Sequence, residues 1–172
     1  MSKFTARILL ISTLLFAAAV SLLSACATPQ SLAPGTTLDE ARAKLRKPTG
    51  SYPLAGGGTR LQYSNQPFDQ SVWNADFDAQ GQLARVEQMM TDAAFARVQP
   101  GKYTHNDVLR DFGQPAETFY YRLVDEGAWM YRYFTYGGFK AAMFIYFDPA
   151  GVVKRTETGL DPWAIRDGGR EK

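Results

Sequence analysis

The scarcest reactive groups in this chain bound the chemistry open to it. Cys26 is the sole cysteine and His105 the sole histidine among 172 residues. One thiol cannot close an internal disulfide, but it can be acylated. One imidazole gives a serine triad a single candidate base. His105 falls on a predicted first helical turn, where a surface or cap-adjacent role is expected. Metal centres usually draw on several His, Cys or clustered carboxylates. No metal site, catalytic set or cofactor is therefore expected. Asp76 and Asp78 lie two apart on a strand edge, and turn chemistry accounts for Asp78 and Asp148. Gly56-Gly57-Gly58 is not followed by Gly-Lys-Ser or Gly-Lys-Thr, so it reads as a hairpin loop rather than a phosphate cradle.

The setting of Cys26 is more specific. Lys3 and Arg7 make a short basic start, Ile8 to Val20 is an uncharged apolar run, and Leu23-Ser24-Ala25-Cys26 closes it with small residues. That is the layout of a secretory signal peptide. The run is shorter than the ~20 apolar residues a comfortable membrane span needs. Leu23-Ser24-Ala25-Cys26 resembles the lipobox of bacterial lipoproteins. The resemblance implies cleavage before Cys26, lipid on its thiol and acylation of the new amino group. A single acyl chain binds a membrane marginally, whereas two or more anchor stably. Ala27, rather than Asp, follows the cysteine, and by the same resemblance this favours the periplasmic side of an outer membrane.

Lys3 and Arg7 precede the cut, so the 17 basic side chains that remain balance 17 acidic ones. A net charge near zero argues against nucleic acid as a partner. Residues 1–25 are assigned as signal peptide and 26–34 as lipidated cysteine and extended tether, on the strength of two prolines and no periodicity.

The remainder carries an internal duplication. Pro34-Gly35-Thr36-Thr37, Asp39-Glu40-Ala41, Leu45 and Pro48 recur as Pro100-Gly101-Lys102-Tyr103-Thr104, Asp107-Val108, Phe112-Gly113 and Pro115. Phe77-Asp78-Ala79-Gln80-Gly81 returns as Phe147-Asp148-Pro149-Ala150-Gly151. Thr37 and Thr104 can cap helices over about 38–47 and 105–112. Thr91–Val98 reads as a further short helix. Strands are expected at 59–64, 73–78, 83–89, 129–134, 142–147 and 152–158. The predicted fold is α+β: two tandem repeats, 35–90 and 91–160, each with short helices on one face of an antiparallel meander. The two meanders can join as one continuous sheet, and 161–172 is a polar tail.

The order of lipobox, tether, Pro-Gly-x-Thr helix, Gly-x-Pro and Phe-Asp-x-x-Gly resembles the SmpA/BamE-like outer-membrane lipoproteins. Two copies in tandem are similar to the fold of the β-lactamase-inhibitory proteins. The first copy departs from the pattern at Arg46-Lys47-Pro48, where Leu-Gly-x-Pro is expected. The resemblance implies a non-enzymatic scaffold that binds an envelope protein, in β-barrel assembly or envelope integrity. The alternatives are an inhibitor-like module on an envelope hydrolase, or a small-ligand carrier. Aromatic residues crowd 119–147, and helices can cover only one sheet face. Trp129, Tyr131, Tyr133 and Tyr146 are therefore expected on the open face, as anchors for a partner.

Overall fold

The computed structural model describes residues 27–168. Cys26 and the lipobox positions Leu23, Ser24 and Ala25 lie outside the described residues. The order is α1 (Leu38–Lys44), β1 (Gly50–Pro53), β2 (Thr59–Ser64), β3 (Val72–Phe77), β4 (Leu83–Gln88), α2 (Asp92–Phe95), α3 (His105–Phe112), β5 (Glu117–Tyr121), β6 (Glu126–Phe134), β7 (Lys140–Phe147), β8 (Val153–Leu160) and α4 (Pro162–Gly168).

This corrects the α+β expectation. The fold is mostly β, with two separate four-stranded antiparallel sheets, β1-β2-β3-β4 and β5-β6-β7-β8, and only a few short helices. No continuous sheet forms, because α2 and α3 follow β4 and fill the space between the sheets. Two strands, β1 and β5, also exceed expectation. β1 runs from Gly50 into Pro53, residues that weaken a strand signature, and is held as an edge strand against β2.

The two sheets repeat one another in detail. In both, a threonine caps a helix and closes a capping box, Thr37 with Glu40 and Thr104 with Asp107. The same threonines bridge to Gln82 and Val152 just past the last hairpin turn. Asp78 and Asp148 each accept hydrogen bonds from backbone N–H groups of that turn. The ladder slips at the same place, between Asp76 and Phe77 and between Tyr146 and Phe147. Gly151 also illustrates close approach. Its φ is +77°, and a Cβ there would stand 2.7 Å from His105 Nδ1.

Strand alternation assigns the faces. Leu61, Tyr63, Ala75 and Phe77 meet Ala41 and Leu45 of α1 in one apolar cluster. The opposite face of sheet 1 carries the directly paired Arg60 and Asp76, then Gln62 and Asn74. All four are buried. They meet the C-terminal end of α3. Arg60 grips Asp76 through Nε at 2.7 Å and Nη2 at 2.8 Å, and donates through Nη1 to Asp111 Oδ1 at 2.7 Å. Gln62 Nε2 donates to the carbonyls of Leu109 and Arg110, and Asn74 Nδ2 to that of Asp111. The last carbonyls of a helix lack partners within it, and here sheet 1 supplies them. Although burial opposes ionisation, hydrogen bonds from Arg60 and Arg85 hold the Asp76 carboxyl below its usual value.

The other side of α3 is apolar. Val108 and Phe112 join Phe95, Tyr131, Tyr133, Met143, Ile145, Phe147, Met89 and Met90 in the larger core. Phe95 and Phe112 stack at 4.8 Å. Burying one such ring contributes roughly 1.5–3 kcal/mol. The layers therefore run α1, sheet 1, α2 with α3, sheet 2. Among the described residues no helix is long and apolar enough to cross a membrane.

Two measurements follow from this packing. Arg60→Met removes the bidentate partner of Asp76, leaving it Arg85 alone, while Asp111 keeps Arg110 and Tyr103; with the charges still partly compensated, the loss should sit near the low end for a broken buried pair, about 3 kcal/mol, in urea unfolding. His105 gives a pH dependence. Burial lowers its pKa from 6.5, opposed by Asp148. The unfolded chain then binds more protons than the folded one. Stability is complete above the unfolded value and declines as pH falls below it, levelling once the folded histidine is protonated. Unfolding midpoints taken from pH 7.5 to 5 should fall for the native chain and stay flatter for His105→Phe.

Candidate functional site

The four aromatic residues expected on an open face divide unequally. Tyr131 and Tyr133 are 0% exposed and lie in the core between α3 and sheet 2. Tyr131 donates its hydroxyl to the Gly113 carbonyl at 2.8 Å, and Tyr133 to Asp92 Oδ1 at 2.9 Å. Burial pushes the Tyr131 phenol well above its usual value. Trp129 is half-buried on the same face, stacked on His105 at 4.6 Å and packed against Phe147. The expectation of a partner surface at these three positions is thus corrected. Alternation defines two faces without saying which is inward, and a tyrosine is readily buried when its hydroxyl finds a carbonyl or carboxylate.

Tyr146 alone of the four lies on the outer face of sheet 2. It is half-buried, with the Arg155 guanidinium 3.6 Å above its ring and Tyr121 6.1 Å away. Arg155 and Lys154 both pair with Glu126, at 2.6 and 2.5 Å. Beyond this charged rim the β5–β6 hairpin projects Tyr120, Tyr121, Leu123 and Val124 into solvent, with Leu123 102% exposed. An exposed apolar cluster beside a ring of charge is the usual build of a protein-contact site.

The opposite end of sheet 2 is organised by Arg132. This side chain is buried, and it ties three segments together. Its guanidinium pairs with Asp161 at 2.9 Å and donates to the Pro67 carbonyl at 2.6 Å. Its backbone exchanges hydrogen bonds with the Gln66 side chain. Trp163 of α4 covers it at 4.7 Å. Residues 162–168, expected within a polar tail, are thereby folded back as a helix. The β2–β3 loop, the β6–β7 turn and the start of α4 consequently share one end of the molecule.

The expected extended tether is also absent. Pro29–Ser31 forms a 3₁₀ turn with Pro29 buried, and Ala27 and Leu32 pack on the sheet 1 cluster. A cavity of about 380 Å³ opens there, lined by Ala27, Pro29, Leu45, Arg46, Tyr63 and Trp73 among others. The Tyr63 hydroxyl is buried and has no hydrogen-bond partner. Arg46 reaches from this cavity's wall to the Ser64 carbonyl and to Asn65 Oδ1 at 2.7 Å. Neither the docked tether nor the cavity is signalled by periodicity. The apolar Ala27, Pro29 and Leu32 were the available sign.

No family model, curated protein or solved structure matches the chain.

A paired substitution separates the two buried phenols. Tyr131→Phe leaves the Gly113 carbonyl without its donor and should cost about 1–3 kcal/mol, whereas Tyr63→Phe removes an unpartnered hydroxyl and should be neutral or stabilising. Chemical denaturation of both variants measures the difference.

Proposed function

We propose that this chain is a lipid-anchored envelope lipoprotein that acts as a protein-binding scaffold, without catalysis of its own. Cys26 carries the anchor, and the outer membrane, on its periplasmic side, is the location. The observation that supports the binding role best is the exposed β5–β6 tip. Tyr120, Tyr121, Leu123 and Val124 gather there, bordered by Glu126, Lys154 and Arg155. Aromatic groups of this kind supply large contact area at small entropic cost, and the charged rim orients a partner. The SmpA/BamE-like order of motifs supports a partner in barrel assembly or envelope integrity.

A small-ligand carrier is the second reading. It rests on the cavity beside Tyr63, whose unpartnered hydroxyl could donate to a ligand.

Labelled palmitate should enter the native chain and not Cys26→Ser; equal labelling of both rejects the anchor. Photocrosslinkers placed at Tyr121 and Leu123 should capture one envelope protein in cells, and Leu123→Asp should abolish the capture. Capture that is undiminished by Leu123→Asp removes the tip as the binding site.

A further inference from the structure

The end held by Arg132 carries a second exposed apolar set that the scaffold role does not use. Phe68 stands in the β2–β3 loop at 88% exposure and Tyr136 in the β6–β7 turn at 103%. Phe139 and Ile165 are also exposed beside them. These side chains come from three segments joined by Arg132, Gln66 and Asp161, so the segments that bear them are held together at one end. Asp92 adds a further tie by accepting the Tyr136 amide at 2.8 Å. Ala27 borders the cavity that Asn65, Asp69 and Ser71 of the same β2–β3 loop also line. The residue after Cys26 is therefore docked beside the loop that bears Phe68.

The geometry points to a lipid surface as the occupant of this end: Phe68, Tyr136, Phe139 and Ile165 enter the interfacial layer of the bilayer that holds the acylated Cys26. The inference rests on the anchoring reading above. Its physical basis is threefold. Aromatic and aliphatic side chains favour the membrane interface, where their apolar bodies leave water. No slack separates Cys26 from the domain, because Ala27 and Pro29 are already packed on it. Among the described residues of this end, the buried Asp161 is neutralised by Arg132, and the exposed Asp69 and Asp92 accept from the Ser71 and Tyr133 hydroxyls. Lys140, by contrast, is exposed next to Phe139 and suits an anionic headgroup. Sheet 2 then stands away from the membrane. The nine residues of β6, eight steps at ~3.4 Å each, hold the β5–β6 tip up to roughly 27 Å from the contact.

The test uses lipidated full chain with Tyr136→Cys or Leu123→Cys as its one free thiol, Cys26 being acylated. Each is labelled with an environment-sensitive fluorophore and reconstituted into vesicles of phosphatidylethanolamine and phosphatidylglycerol that carry a nitroxide on the lipid acyl chain. The label at 136 should shift to the blue and lose most of its emission, and the label at 123 should do neither. Replacing Phe68, Phe139 and Ile165 with Ser should restore emission at 136 while the chain still floats with vesicles. A floating chain whose 136 label stays bright, or whose 123 label is the one quenched, overturns the inference and leaves the anchor standing. A chain that does not float, with Cys26 open to the thiol reagent, removes both. A concentration-dependent blue shift at 136 without vesicles assigns the end to a second copy and overturns the inference as well.

Discussion

Everything in this molecule hangs on how α3 ends. A helix that stops inside a protein leaves its last carbonyls facing a medium that cannot hydrate them. Here they face sheet 1, and Gln62, Asn74 and Arg60 donate to them. Gly113 makes the approach possible. Its φ is +76°, and a Cβ there would come within 2.9 Å of Gln62 Oε1. The strands that carry these donors present them only because their other face, Leu61, Tyr63, Ala75 and Phe77, is committed to α1. One polar layer, buried and mutually satisfied, thus fuses two similar halves into one body. An alternative packing would leave Arg60, Asp76 or Asp111 charged and alone, and such groups are costly to bury.

A fused body gives the two exposed apolar ends a defined relation. Arg132 does for the end of sheet 2 opposite the β5–β6 tip what Arg60 does for the middle: a guanidinium satisfied from several segments at once holds loops together. The β5–β6 tip is organised differently. Its strands pair in register, and its rim is set by Glu126 with Lys154 and Arg155. The same chain can therefore rest on one surface and offer another, without a hinge between them.

The local devices were legible in the sequence, and the layer order was not. Thr37, Thr104, Asp78, Asp148, Gly81 and Gly151 act within a few residues of themselves, so their types and spacing predict capped helices and tight turns directly. Helix 105–112 and strand 59–64 match expectation for that reason. The alternation in β2 and β3 was equally visible, but a face of Arg, Gln, Asn and Asp reads as solvent-facing until a helix end is found against it. The one continuous sheet was an expectation carried by the resemblance to the β-lactamase-inhibitory fold, and the two separate sheets overturn it. Tyr131 and Tyr133 were expected outside because nothing in the strand announces that Gly113 and Asp92 wait across the core to receive their hydroxyls. The docking of Ala27, Pro29 and Leu32 is illegible for a related reason: three small apolar contacts without period leave no pattern.

Native-state hydrogen exchange on the chain tests the fused body most directly. Amides of β2 and β3 should open with the same free energy as those of β6 and β7, since no face of sheet 1 can be exposed without unpairing the α3 carbonyls. Sheet 1 amides that exchange through a separate, easier opening while sheet 2 stays protected would show that the polar layer does not join the halves.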